Sequence, residues 1–495
     1  MEGGVNRHFS LYINGEFVAG ADGQVMDSAN PANGKRWASF DCAAQSDIDR
    51  AVLGARRALE GEWSTLTATA RGKLLYRLAD IVEANAAVLG KIETTDSGKL
   101  AIETMAQTAY VADYYRYFAG LADKLEGATI PIDKPDMHVY TTREPIGVVA
   151  AIVPWNAQMF LTATKLGPAL AAGCTVVLKA SEIAPCAMLE FARLIDEAGF
   201  PPGVVSVVTG DAEHCAIPLT SHPAVDRIAF TGGPDTARHV VRNSAHNFAV
   251  TTLELGGKSP LLIFDDADLD SAANGLIAGN FGASGQSCVA ASRGLVHASV
   301  KTALIERLQE KAASIVVGDP LDERTHVGPL CTAEQVTRIE RTLATAVQQG
   351  GHVHFGGERP PGLNDGHYFS PTLIECRTPE TATLQVEMFG PVMSLLTFED
   401  EEEAIKLAND SVYGLGSGVF TQNLARAHRV SKRLKAGICW VNSYRAISPL
   451  APFGGYNQSG YGREAGAESV LDYTRTKTTW INVSDEPMAN PFVMR

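Results

Sequence analysis

Between residues 146 and 244 short apolar runs alternate with amphipathic stretches. Ile146–Val153, Cys174–Lys179, Val204–Val208 and Arg227–Thr231 are nearly unbroken apolar runs bounded by Gly, Pro or polar residues. Met159–Ala172, Pro185–Ala198, a short stretch at 211–219 and Asp235–Ser244 carry apolar residues at helical spacing. Strand and helix repeated four times predict an open parallel sheet covered on both faces, hence an α/β fold. In such sheets ligands bind beyond the carboxyl ends of the strands, where Asn156, Lys179 and Gly232 fall.

The flanking segments read differently. Leu11–Ile13 and Glu16–Val18 enclose Asn14-Gly15, the favoured two-residue hairpin turn. Ser46-Asp47 is a cap signal for a helix to Ala58, with Ile48, Ala51, Val52 and Ala55 on one face. Helical periodicity continues over 68–90 and 100–122. The second stretch carries Tyr110, Tyr114, Tyr115, Tyr117 and Phe118, a stripe expected to pack, with part of it open to a substrate tunnel. Residues 126–145 break the pattern and predict an extended excursion, a strand pair leaving the main body. After 256 the α/β theme resumes, with strands at 260–264, 294–297 and 392–398 and helices near 268–281, 299–316, 332–349, 400–410 and 423–435. The stretch 472–482 alternates like a strand that has no partner nearby in sequence. With 126–145 it is expected to form an intersubunit sheet.

Three groups capable of chemistry lie at the mouths of apolar segments. Cys288 sits in Phe281-Gly-Ala-Ser-Gly-Gln-Ser-Cys288-Val-Ala-Ala-Ser, among small residues and no carboxylate. Glu254 ends an apolar run against two glycines, and Asn156 ends another. A thiol, a carboxylate and an amide meet the needs of acyl chemistry: nucleophile, base and oxyanion donor. Taken alone, Cys288 also reads as a buried structural cysteine. Other motifs fail. Gly257-Lys258-Ser259 ends like a phosphate loop, but Thr252 stands where the upstream Gly is needed, and Asp266-Ala-Asp268-Leu-Asp270 lacks the Gly and final acid of a calcium loop. Phe230-Thr-Gly-Gly-Pro at a helix start is a weak phosphate signal.

Composition narrows the class. The chain has 495 residues, 45% of them hydrophobic and 20% charged, and a net charge of −14. This predicts a multidomain globular protein with no nucleic-acid partner. Eight cysteines are scattered with no Cys-x-x-Cys pair. Neither a metal site nor a disulfide framework is expected, and a reducing, cytoplasmic setting fits. Met1–His8 lacks a signal-peptide core, and no apolar run reaches the roughly 18 residues of a membrane span.

Seven motifs in one order then carry a resemblance. Pro154-Trp-Asn156, Lys179-Ala-Ser-Glu182, Phe230-Thr-Gly232, Leu253-Glu-Leu-Gly-Gly-Lys-Ser-Pro260, Gly285-Gln-Ser-Cys288, Glu387-Met-Phe-Gly-Pro391 and Pro452-Phe-Gly-Gly455 resemble the NAD(P)-dependent aldehyde dehydrogenase superfamily across almost the whole chain. The resemblance implies a Rossmann-type cofactor domain (1–125 and 146–256), an α/β catalytic domain (257–456) and a small β oligomerisation element (126–145 and 472–495). It implies a homodimer or homotetramer that oxidises an aldehyde to an acid. Cys288 takes the nucleophile's place, Asn156 the oxyanion donor's and Glu254 the base's. Ile152, Trp155, Lys179, Glu182, Gly232, Gly233, Leu255, Glu387 and Phe389 match cofactor-binding positions. Glu182 favours NAD over NADP, because a carboxylate accepts ribose hydroxyls and repels a 2′-phosphate. Gly233, Ala237 and Asn457 depart from residues common in relatives (Ser, Gly and Lys), which bears on cofactor affinity in the first two cases.

The substrate pocket is expected from Ala157, Phe160, Leu161, Thr164, Ser287, Val289, Tyr444, Arg445, Ile447 and Phe453. Small Ala157 and Thr164 predict room for a bulky apolar or aromatic aldehyde. Arg445 reads either as an anchor for a semialdehyde acid or as a solvated rim charge. Two other classes stay open. A coenzyme-A-acylating enzyme has no need of Glu254, and a non-catalytic binding protein has no need of Cys288.

Overall fold

The computed structural model describes residues 7–493. The start of the 1–125 segment, including most of Met1–His8, and the last two residues of the 472–495 segment lie outside the described residues.

Two large sheets organise the chain. The first has eight strands in the order Gly460–Tyr461, Val250–Glu254, Arg227–Thr231, Val148–Ile152, Thr175–Lys179, Val205–Val208, Leu11–Ile13, Glu16–Val18. The five from Val250–Glu254 to Val205–Val208 are parallel. Its central strands are buried on both faces, so they are written as continuous Val, Ile and Ala runs instead of alternating ones. Successive strands run outward on one side from Val148–Ile152, and Arg227–Thr231 then joins its other flank. The reversal leaves a crevice beyond Ile152 and Thr231, where connections part in opposite directions. The predicted helices cover the faces, at Gln158–Ala172, Cys186–Ala198 and Pro234–Ser244. The Asn14-Gly15 hairpin is present, with Leu11 opposite Val18.

The second sheet has the order His352–Phe355, Thr372–Glu375, Val392–Phe398, Arg293–His297, Pro260–Ile263, Gly416–Phe420, Ile438–Val441. It is parallel except at His352–Phe355. The strands expected at 260–264, 294–297 and 392–398 form its centre. The excursion and the C-terminal strand meet as an antiparallel ribbon, Met137–Pro145 against Thr474–Asn482, from Pro145↔Thr474 to Met137↔Asn482. Residues near 129 add a short bridge to Tyr140.

Two local readings are corrected. The helix at Gln45–Ala58 is capped at Ala44, whose N–H donates to the Asp47 carboxylate at 3.0 Å, so Asp47 acts from inside the first turn. The 68–90 pattern is two helices, Ala68–Ala84 and Ala86–Ser97, broken at Asn85, whose side-chain amide donates to the Ile81 carbonyl. Of the aromatic stripe, Tyr114, Tyr115 and Phe118 pack in the core as expected, while Tyr110 is half-buried and its hydroxyl donates to the Ile447 carbonyl at 3.2 Å.

Candidate active site

The crevice of the first sheet holds two adjoining cavities. The outer one, about 390 Å³, is walled by Ile152, Trp155, Lys179, Glu182, Gly232 and Gly233 among others. The inner one, about 250 Å³, shares Trp155, Thr231, Gly232 and Gly233 with it and adds Asn156, Glu254, Leu255, Cys288, Glu387 and Phe389. All nine expected cofactor positions and all three expected catalytic groups thus line one continuous cleft.

In the outer cavity Lys179 Nζ donates to Glu182 Oε2 at 2.6 Å, fixing the carboxylate at the strand end. Gly233 precedes the helix Pro234–Ser244, and a side chain there would meet nothing within 4 Å. Gly233 and the following Thr236 both line the cavity, so this helix starts at the cleft wall. In the inner cavity Glu387 Oε1 accepts the Gly257 N–H at 3.0 Å. Burial raises the Glu387 carboxyl to about 7. Phe389 adopts a left-handed φ of 50° and sets its ring edge-on to Trp155 at 5.5 Å. Arg338 holds the Glu387 carbonyl at 2.9 Å and Gln335 the Phe389 carbonyl at 3.1 Å, which keeps this turn in place.

Cys288 faces the inner cavity from a tightly held loop. The preceding residues Ala283, Ser284 and Gly285 are all left-handed, with φ of 52°, 53° and 74°. A Cβ at Gly285 would collide with the Gly390 carbonyl, so the loop backbone lies directly on the Glu387–Pro391 turn. Asn156 Nδ2 donates to the Gln286 carbonyl at 3.0 Å, leaving its second N–H for another acceptor. Gln286 Oε1 in turn accepts from the Cys331 N–H at 2.9 Å. Burial first, then the carboxylates of Glu387 and Glu254, push the Cys288 thiol up to about 12. The resting group is a thiol, and a proton acceptor or a positive charge brought into the cleft is needed to make it a nucleophile.

Glu254 is buried, and neither of its carboxylate oxygens has a partner. Burial, followed by the negative charge of Glu464, holds its carboxyl well above the usual range, while Lys165 and Arg463 act in the opposite sense. Behind it lies a group that linear reading missed. Fully buried Lys165 is ion-paired with Glu464 and donates to Thr231 Oγ1 at 2.6 Å. Thr164 Oγ1 donates to the other Glu464 oxygen at 2.7 Å. A side chain on Gly454 would meet Glu254 Oε1 at 2.7 Å, so only glycine lets this loop close over the carboxylate. Lys165 left a trace in the sequence, as the one charge in the otherwise uncharged helix Gln158–Ala172. Replacing Glu464 removes a negative charge beside Glu254 and frees the positive charge of Lys165, and both changes lower the Glu254 pKa. Glu464→Gln is expected to move the acidic limb of the kcat profile to lower pH, read from initial rates across buffers; an unmoved limb breaks the electrostatic link.

The expected substrate residues are less unified. Leu161 lines the inner cavity, and Ala157, Phe160, Ser287 and Phe453 are half-buried. Thr164 is not a wall of the pocket, since its buried hydroxyl is engaged by Glu464 and the Leu161 carbonyl. Tyr444 donates to the Val289 carbonyl at 3.0 Å and packs on Trp440, and Val289 is buried beside it. Arg445 Nη1 donates to the Ala278 carbonyl at 2.8 Å, which ties this rim charge to a helix end, and Ile447 is exposed. The cleft walls also include Gln335, Arg338, Thr220, His239 and Asn243, none of which stands in a recognisable motif. Among the described residues no group of His, Cys, Asp or Glu is arranged to hold a metal ion, and no helix is long and apolar enough to cross a membrane.

Comparison with known proteins identifies the family. The profile of the aldehyde dehydrogenase family matches residues 17–479. The (Z)-2-((N-methylformamido)methylene)-5-hydroxybutyrolactone dehydrogenase of Acinetobacter baylyi is 55% identical over 99% of this chain and 100% of its own. Crystallised PnpE in complex with nicotinamide adenine dinucleotide is 42% identical, with a TM-score of 0.95 over 98% of this chain and 99% of its own; PnpE from Pseudomonas sp. WBC-3 has the same values. A betaine aldehyde dehydrogenase from Staphylococcus aureus in complex with NAD+ is 38% identical, with a TM-score of 0.95 over 98% of this chain and 97% of its own. With its thiol, its unpaired buried carboxylate and its two-part cleft, the chain belongs to the aldehyde dehydrogenase family.

Proposed function

We propose that the protein oxidises an aldehyde to a carboxylic acid with NAD, through covalent chemistry on Cys288 and hydrolysis assisted by Glu254. The observation that carries this reading is the inner cavity, where Cys288, Asn156 and an unpartnered Glu254 share one wall system with Glu387 and Phe389.

The residues present fit the dinucleotide. Lys179 and Glu182 would hold the adenosine ribose, the Gly232–Pro234 turn the pyrophosphate, and Glu387 with Phe389 the nicotinamide end. When bound, NAD accepts the hydride released from the substrate carbon. Cys288 Sγ adds to the aldehyde carbon after loss of the thiol proton, giving a tetrahedral thiohemiacetal. The free N–H of Asn156 and the Cys288 N–H would take the oxyanion. Loss of hydride leaves a thioester on Cys288. Glu254, ionised, would take a proton from water as its oxygen attacks the thioester carbon, and the acid departs as the thiol is restored. Because this carboxyl is held high, the hydrolytic step is expected to strengthen as pH rises.

For the substrate we infer a short aldehyde carrying a carboxylate. A 5-hydroxybutyrolactone, the type of ring in the name of the Acinetobacter relative, is the closed form of a four-carbon aldehyde acid. Arg445 offers N–H groups beyond the one held by Ala278, and small Ala157 leaves room beside the site. Bulky apolar aldehydes are the second reading, supported by Phe160, Leu161 and Phe453. The division into cofactor, catalytic and ribbon units, the reducing setting suggested by free cysteines, and assembly through the exposed ribbon bearing Trp480 and Ile481 belong to the same proposal.

The test is NADH formation from aliphatic, aromatic and acidic aldehydes, with NAD or NADP, and without coenzyme A. Turnover without coenzyme A, the highest kcat/KM for the acidic aldehydes, and a preference for NAD are expected. No turnover until coenzyme A is added would replace hydrolysis with acyl transfer.

A further inference from the structure

The loop that carries Cys288 is backbone-strained and is held from outside its own sheet. Ala283 and Ser284 are non-glycine residues in the left-handed region, an unfavourable conformation that surrounding contacts must impose. One of those contacts comes from far away in sequence. Glu103, in the first turn of the helix Ala101–Leu121, accepts the Ala283 N–H on Oε1 at 3.0 Å. Its second oxygen, Oε2, is buried without a partner. A half-desolvated carboxylate kept for one backbone bond is a costly arrangement if it only fastens a surface loop.

The helix is itself fixed against the catalytic half. The Ala101 N–H donates to the Pro320 carbonyl at 2.9 Å, and the Tyr110 hydroxyl reaches the Ile447 carbonyl at 3.2 Å. On the loop side, Ser284 Oγ donates to the Gly328 carbonyl at 3.0 Å. Glu103 therefore joins a rigid helix to the first left-handed residue before the nucleophile. We propose that Glu103 is a positioning residue for Cys288: its carboxylate holds the Ala283–Gly285 turn in the conformation that aims the thiol into the cleft.

The inference rests on Cys288 as the nucleophile, and the experiment separates the two. Glu103→Ala, Glu103→Asp and Glu103→Gln are compared with wild type for thermal midpoint, NAD affinity, kcat, and the rate at which iodoacetamide alkylates Cys288, located by mass spectrometry. A misplaced reacting atom costs about tenfold to a hundredfold in rate. Ala, which lacks the acceptor, and Asp, which is one methylene short, are expected to lose that much in kcat and in alkylation rate, with NAD affinity unchanged. Gln keeps an acceptor oxygen and is expected to stay within about threefold of wild type. The comparison of Asp with Gln decides the matter even where Ala does not fold. Wild-type rates in Glu103→Asp, equal damage in Asp and Gln, or a parallel loss of NAD affinity each overturns the proposal. Turnover that survives Cys288→Ala would instead remove the underlying mechanism.

Discussion

Cys288→Ala is expected to abolish aldehyde-dependent NADH formation, by a factor on the order of 10⁴ or more, because no other group can form the covalent intermediate. Among the described residues the inner cavity contains no second thiol, and Cys288 is the cysteine on its wall. The substitution removes one sulfur from a site bordered by Val289, Leu415 and Trp440, so the fold and the outer cavity should be unaffected. NAD binding, followed by quenching of protein fluorescence, is expected to persist. Loss of binding together with turnover would mean that the loop supports the cleft, and retained turnover would remove Cys288 from the chemistry.

Glu254→Gln is expected to separate the two half-reactions. The amide keeps the shape of the side chain but takes no proton from water. Acylation should give one equivalent of NADH per site in a burst, after which the steady rate falls by about 10²- to 10⁴-fold. Stopped-flow absorbance measures both phases, and mass spectrometry of the stalled enzyme should show the acyl adduct on Cys288. The carboxyl of Glu254 is raised by burial and by Glu464, so wild-type turnover should fall as pH drops through its pKa, and this limb should vanish in the variant. A variant that shows neither burst nor adduct would place Glu254 before the thioester, as the base that activates the thiol.

The sequence revealed those parts whose physical cause is local. Ile146–Val153 and Cys174–Lys179 were legible as strands because burial on both faces demands unbroken apolar runs. Trp155, Lys179, Glu182 and Gly232, which line the outer cavity, were legible because they stand in short motifs at the ends of strands. Other elements had no local cause to read. Gly416–Phe420 is an interior strand, next to the edge, despite two glycines, and Gly418 is required by the side chains of Leu261 and Tyr444 packed against it, a contact invisible along the chain. His352–Phe355 and Thr372–Glu375 are short and partly polar. The break at Asn85 comes from one side-chain bond to a carbonyl four residues back, inside a periodicity that otherwise continues. Thr164 looked like a small pocket residue, yet its partner Glu464 lies 300 positions away.

That separation has a consequence for how the enzyme is built. The strand that ends in Glu254 gains its outer neighbour only when Gly460–Tyr461 returns to pair with Leu253 and Glu254. The same return brings Glu464 to Lys165 and Gly454 over the carboxylate. A chain emerging from the ribosome can therefore complete the strands around the dinucleotide crevice long before it can complete the surroundings of Glu254. Contacts of such long sequence separation form late and slowly. Assembly is thus ordered so that the enclosure of Glu254 is among the last features the polypeptide acquires, after the strands around the crevice are already in place.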